Sequence, residues 1–144
     1  MPLLFDSSIY ISALRIGDTA HLLLKRWEGE SPLWLSSVVL EELYAGADLA
    51  AHRILEKLER DFQKAGRILT PNLSDWTQTG KLLHRLADKF GYEQIGRARL
   101  TNDALIATSA ARTGITVITT NPRDFARLAQ FCPLLWQHRS LNTP

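Results

Sequence analysis

A single cysteine, Cys132, stands in a chain of 144 residues, so neither an internal disulfide nor a cysteine-built zinc cluster can form. The thiol reads as a small buried apolar side chain. Long hydrophobic runs are missing too: stretches such as Ile9-Tyr10-Ile11 and Val38-Val39-Leu40 fall far short of the roughly 20 residues that span a bilayer. Neither a basic segment nor a small-residue cleavage site follows Met1, so no secretory leader is expected and the chain is expected to act in the cytoplasm. Gly-rich phosphate loops of the Walker or Rossmann kind, H-E-x-x-H, G-x-S-x-G and paired cysteines are all absent, which removes the common nucleotide-binding, metalloprotease and acyl-transfer sites. His21, His52, His84 and His138 share no ligand spacing and read as solvated histidines. A charge excess is also lacking: 17 Lys+Arg against 15 Asp+Glu leave a formal net charge of +2, no argument in itself for a nucleic-acid partner. Among those cations, however, 12 are Arg and 5 are Lys, a tilt towards the side chain suited to planar, bidentate phosphate contacts.

With 45% hydrophobic and 22% charged residues, the chain has the composition of one folded domain, expected over residues 1–144. Leu3-Leu4-Phe5 reads as a strand ending at Asp6, with Ser7 or Ser8 able to cap a helix over 9–14. Ala20, Leu23, Leu24 and Trp27 recur at helical spacing and predict a second helix, ended by Gly29, Ser31 and Pro32. Leu33-Trp34-Leu35 is a strand candidate, and Ser36 or Ser37 can cap a helix carrying Val39, Leu40, Leu43, Tyr44 and Ala47, with Gly46 near its end. The stripe Ala51, Ile54, Leu55, Leu58, Phe62 and Ala65 predicts an amphipathic helix that Gly66 stops. Ile68-Leu69 is a short strand, and Pro71 to Ser74 form a turn before a helix through Trp76, Thr79, Leu83, Leu86, Ala87 and Phe90. Gly91 and Gly96 make residues 91–100 read as a loop. Thr101 then caps a small-residue helix reaching Arg112 and closed by Gly114. Residues 115–119 are β-branched throughout and predict a buried strand. Pro122 suits the first position of a short helix to Leu128, and Leu134-Leu135 a last edge strand. Strands separated by helices imply an α/β sandwich with a parallel central sheet.

In such a sheet ligands bind beyond the carboxyl ends of the strands. Asp6 falls there directly, Asn121 and Asp124 follow the 115–119 strand, Asp103 opens its helix, and Glu41 and Glu42 lie one turn into the helix after residues 33–35. Singly, Asp103 and Asp124 serve equally well as helix N-terminal charges and Glu41 and Glu42 as a solvated face. Asp6, following three apolar residues, faces desolvation unless partnered. Together, gathered carboxylates repel and at neutral pH imply a hard divalent cation, Mg²⁺ or Mn²⁺.

Four blocks, Asp6-Ser7-Ser8, Val39-Leu40-Glu41-Glu42-Leu43-Tyr44-Ala45-Gly46, Asn102-Asp103-Ala104-Leu105-Ile106-Ala107 and Thr119-Thr120-Asn121-Pro122-Arg123-Asp124-Phe125, occur in an order and spacing that resembles PIN-domain ribonucleases, and within them the VapC-type toxins of toxin–antitoxin systems. The resemblance implies a PIN-like three-layer α/β/α sandwich with a mostly parallel sheet. It places the family's three acids at Asp6, Glu42 and Asp103 and its fourth position at Asn121, with Asp124 able to substitute or assist. Ser8 stands where the family more often has Asn. The resemblance further implies a Mg²⁺- or Mn²⁺-dependent endoribonuclease that hydrolyses RNA by metal-activated water, leaving 5′-phosphate and 3′-hydroxyl ends, with a small antitoxin and a second copy of the chain as partners. The stripes over 51–65 and 76–90 are candidate partner surfaces, and Arg97, Arg99 and Arg123 candidate backbone contacts. Two rivals stand beside this reading. A phosphoaspartyl enzyme uses the first Asp as nucleophile but repeats an Asp two positions on, where this chain has Ser8; a catalytically degenerate RNA- or protein-binding module is favoured by Asn121.

Overall fold

The computed structural model describes residues 1–16 and 31–139. The helix expected around Ala20 to Trp27, with His21, lies outside the described residues. In chain order the elements are β1 (Leu3–Phe5), α1 (Ser7–Ile16), β2 (Leu33–Ser36), α2 (Ser37–Gly46), α3 (Leu49–Ala65), β3 (Ile68–Leu69), α4 (Leu73–Phe90), α5 (Tyr92–Ala98), α6 (Thr101–Thr113), β4 (Thr116–Thr119), α7 (Pro122–Leu128) and β5 (Trp136–His138). The strands form one five-stranded sheet in the order β3-β2-β1-β4-β5, parallel at every pairing.

The central strands are the most apolar, because a parallel strand flanked on both sides and covered on both faces has no solvated side. Leu3, Leu4 and Phe5 of β1, and all of β4, are buried. From β1 the chain steps outward to β2 and β3, then returns to lay β4 on the other side of β1. Right-handed crossovers therefore send α1 to α3 to one face and α4 to α7 to the other. Packing divides accordingly: α1 meets α2 and α2 meets α3, while α4 meets α5 and α6, and α6 meets α7. The result is a three-layer α/β/α sandwich. Helix α6 is buried without a break from Ala104 to Ala110, which its small side chains allow by letting neighbours approach closely. Buried polar groups there are satisfied locally: Ser109 Oγ donates to the Leu105 carbonyl at 2.6 Å, and Thr79 and Thr108 share a hydrogen bond of 3.0 Å. Asp75, 2% exposed, receives a bidentate Arg112 fork at 2.9 and 3.1 Å and closes a capping box with Asn72. Burial alone raises the Asp75 carboxyl, but Arg112 and the Asn72 backbone N–H outweigh it and hold it below the usual range. Among the described residues no helix is long and apolar enough to cross a membrane.

Several sequence expectations shift. Residues 92–98 are helical rather than a loop: Ile95 and Leu100 plug into the core, and a Cβ at Gly96 would meet nothing within 4 Å, so that glycine marks no turn. The break lies at Gly91, whose φ of +100° few other residues adopt. Ser36, not Ser37, caps α2, accepting from the Val38 and Val39 amides at 3.1 and 3.4 Å. Ser7 and Thr101 are helical residues and not caps. The edge strand begins at Trp136 instead of Leu134: Leu134 turns into the core with its amide bonded back to the Cys132 carbonyl at 2.7 Å, and the ladder to β4 opens with the Val117 amide on the Leu135 carbonyl at 2.9 Å. Ile54 and Trp76, placed on buried stripes by periodicity, are 59% and 56% exposed. His52 is partly buried and holds the Tyr44 carbonyl at 3.0 Å, whereas His84 and His138 are exposed. Cys132 is buried and free.

Candidate active site

The pairing of β1 with β4 sets Leu3 opposite Thr116 and Phe5 opposite Ile118, and the Asp6 amide extends the ladder to the Ile118 carbonyl at 3.0 Å. This register places Asp6 beside Thr119 at the point where the strand order reverses, the expected binding crevice of an open parallel sheet. Asp6 is 4% exposed yet fully partnered. Its Oδ1 accepts from the Ser8 amide at 3.1 Å and from the Ser8 hydroxyl, and its Oδ2 accepts from Thr119 Oγ1 at 2.7 Å. Asp6 thus takes over the helix-capping role expected of the serines. Ser8 Oγ in turn accepts from the Thr120 amide at 3.1 Å, tying the first turn of α1 to the end of β4. Desolvation raises the Asp6 pKa, against the pull of these donors.

The other acids lack such support. Glu42 on α2 and Asp103 on α6 meet where these helices approach each other, the same approach that lets Asn102 donate to the exposed Glu41 at 3.2 Å. Glu42 Oε1 is buried with no hydrogen-bond partner among the described residues. Its carboxyl is raised by burial first, then by Glu41 and Asp6, with Asn102 and Ser7 pulling the other way. Asp103 is pushed up to about 7 by burial and by the charges of Glu42, Asp6 and Asp124. These four acids therefore share one electrostatic site, and the exposed Glu41, bonded to Asn102, adds its charge to Glu42 from outside the buried cluster. Asn121 precedes α7 and makes no side-chain cap; its amide donates to Thr119 Oγ1 at 3.0 Å. That bond occupies the N–H a capping box would offer, so Asp124 caps nothing and its half-buried carboxylate accepts no hydrogen bond among the described residues.

Among the described residues, no three carboxylate, imidazole or thiol groups are gathered tightly enough to enclose a metal ion. In chemistry the set still fits a hard divalent cation: every candidate donor is oxygen, and a buried carboxylate oxygen without a partner, as at Glu42, calls for either a proton or a cation. Sequence reasoning missed Thr119 as a partner of Asp6 and saw Ser8 as a helix cap or a substitute for Asn, not as a tie between Asp6 and β4, because these roles depend on a strand register that no local pattern encodes. Of the candidate arginines, Arg97 and Arg123 line a groove of about 680 Å³ next to Asn121 and Asp124, joined by Arg127. Arg99 does not line it; it ends α5 at φ +51°.

Fold and site together define an α/β protein with an acidic, all-oxygen cluster at the switch point of a parallel sheet. The chain belongs to the PIN-domain family, whose model matches residues 3–130. Comparison with curated proteins finds no match. Among solved structures, the chain is similar to a chain of VapBC2 from Rickettsia felis bound to a DNA fragment from their promoter, at 23% identity and TM-score 0.66 over 97% of this chain and 100% of that one. It is similar in the same way to a chain of DNA-bound VapBC from Salmonella typhimurium, at 22% identity and TM-score 0.67 over 96% and 98%. A third, VapBC-1 from nontypeable Haemophilus influenzae, gives 22% identity and TM-score 0.65 over 96% and 98%.

Proposed function

We propose that this protein is a Mg²⁺- or Mn²⁺-dependent endoribonuclease, the VapC-type toxin of a toxin–antitoxin pair, acting in the cytoplasm. The observation that carries the reading is the convergence of Asp6, Glu42 and Asp124 on Asp103, whose carboxyl all three raise, with Asp6 raising Glu42 as well. Asp6, Glu42 and Asp103 would hold the cation, with Asn121 and Asp124 at the fourth position. When bound, the ion supplies Lewis acidity and counter-charge for the phosphate oxygens. The chain supplies the rest. Ser8 and Thr119 fix the rotamer of Asp6, so one ligand is pre-positioned before any ion arrives. Asp103, with a carboxyl pushed up to about 7, is partly protonated near neutral pH and would give up that proton on holding a cation. Asp124, with a carboxylate that accepts no hydrogen bond among the described residues, would orient a water at the scissile phosphate. The partner proteins of the similar VapBC structures support an antitoxin for this chain, and a homodimer is part of the same proposal.

Purified protein should cut single-stranded RNA, lose that activity to EDTA, regain it with Mg²⁺ or Mn²⁺, and lose it in a folded Asp6→Asn variant. The loose spacing of the acids favours one alternative, a catalytically silent RNA- or protein-binding module. Binding of RNA without cleavage under any metal would establish that alternative instead.

A further inference from the structure

The groove beside the acidic site contains three guanidinium groups, Arg97, Arg123 and Arg127, with Gln94, Asn121 and Asp124 in the same wall. They are not equivalent. Arg97 is already paired with Glu93 one turn away on the same helix. Arg123 and Arg127 have no carboxylate partner among the described residues. Arg127 alone is held in place by neutral groups. Its guanidinium lies 5.2 Å from the centroid of the Phe90 ring. With the Gln94 amide turned so that its nitrogen donates to the Phe90 carbonyl at 2.8 Å, the Gln94 oxygen accepts from Arg127 Nη2 at 3.1 Å. An arginine aimed by a ring and an amide keeps its full charge and has little rotamer freedom left to lose on binding an anion. Arg97 would first have to release Glu93.

We propose that Arg127 is the phosphate anchor that fixes the backbone of single-stranded RNA alongside the acidic site, aimed by Phe90 and Gln94 and reading no base. This rests on the ribonuclease reading above. A guanidinium also accepts the carboxylates of an acidic protein segment. RNA is favoured because the groove shares Asn121 and Asp124 with the acidic site, so a polyanion held there runs directly to the place where a phosphodiester must be presented. Phosphate contacts of this kind position the strand and carry no sequence information.

The test uses the full chain in EDTA, where RNA is not cut, with a labelled single-stranded oligoribonucleotide of mixed sequence titrated at several salt concentrations. Arg127→Met keeps an apolar stem against Phe90 and removes the charge. It should weaken binding several-fold at about 0.1 M salt and make the slope of log affinity against log salt shallower by about 0.7, the value of one single-strand phosphate contact. Arg127→Lys should keep the slope and lose part of the affinity, and Gln94→Leu should weaken binding with the slope unchanged. Arg53→Ala, on α3 outside the groove, is the control and should change neither. An unchanged slope in a folded Arg127→Met chain overturns the anchor while leaving the ribonuclease reading in place. An unchanged slope accompanied by lost binding of polyglutamate assigns the groove to an acidic protein segment instead. If the unmodified chain neither binds nor cuts RNA, the ribonuclease reading fails and the anchor with it.

Discussion

Asp103 is the acid whose removal should strengthen the fold. Its pKa lies near 7 in the folded chain against 3.8 for the free side chain, so the folded state holds a proton that the unfolded state has already released. The sign follows by linkage: between roughly pH 4 and 7 the native state binds the extra proton, so Asp103 costs stability that grows as pH rises through this window and levels off above it. At pH 7.5 a shift of this size corresponds to a ceiling of about 4 kcal/mol, and at pH 5 to less than half of that. Partial solvent access and relaxation of the neighbouring acids reduce both, and Asn at the third position of α6 gives up about 0.3–1 kcal/mol of favourable helix-end charge. Asp103→Asn in EDTA should therefore be more stable than the unmodified chain by about 1–2 kcal/mol at pH 7.5, a rise in Tm of about 3–6 °C for a chain of this size. The advantage should fall towards zero at pH 5. Urea denaturation at the two pH values, with equal m-values as the check on two-state behaviour, measures it. A variant no more stable at pH 7.5 than at pH 5, relative to the unmodified chain, would refute the idea that Asp103 is crowded by the other acids.

Added Mg²⁺ or Mn²⁺ should raise Tm at pH 7.5 by linkage, and the rise should shrink on going to pH 5, because a proton then occupies Asp103 and the raised carboxyls of Asp6 and Glu42 move towards protonation; an equal shift at both values rules out these acids as the ligands. Asp124→Asn should leave stability within about 0.5 kcal/mol, as for a surface change that removes no cap, and reduce turnover at least tenfold in a cleavage assay. A stability loss of about 1 kcal/mol with full turnover would return Asp124 to a capping role. Arg112→Ala should cost about 2–4 kcal/mol in denaturant melts, since it strands the buried Asp75 charge. That loss should disappear under acid: the folded pKa of Asp75 is depressed, so its contribution is present above pH 4 and lost as pH falls through the lower folded value.

Much of the fold is legible because its signals are local. Three consecutive apolar residues ending at Asp6, the β-branched run into β4, Gly66 and Gly114 at φ +67° and +70°, and Pro122 at the start of α7 each fix an element through backbone chemistry alone. What escapes is set by contacts distant in sequence. Whether residues 92–98 are helix or loop turns on Ile95 finding a core to enter. Ile54 and Trp76 sit at helical spacing with buried neighbours, but the apolar stripe is wider than the surface it covers. The acids divide in the same manner. Asp6 shows itself by its position after a buried strand, while Glu42 is preferred over Glu41 only by resemblance. In the structure Glu41 is exposed and bonded to Asn102, and Glu42 carries the unpartnered oxygen.

That asymmetry bears on how the site stays folded. One acid, Asp6, is held by the same groups that join the sheet to its first helix, since Ser8 lies in the first turn of α1 and Thr119 ends β4. Its donors cannot be lost without loosening the fold. Glu42, Asp103 and Asp124 stand on three separate helices with like charges towards one another, and no comparable set of donors offsets the repulsion. Their cost is tolerated because α2 and α6 are fixed elsewhere, through Leu43, Val39 and the unbroken buried run of α6. A site assembled in this way stores electrostatic repulsion that a divalent cation relieves, so part of the ion's binding free energy reappears as stability of the helix contacts. Substituting Glu42 or Asp103 should therefore strengthen the apo fold and weaken its response to metal, whereas Asp6→Ala should strand the Ser8 and Thr119 donors and weaken both.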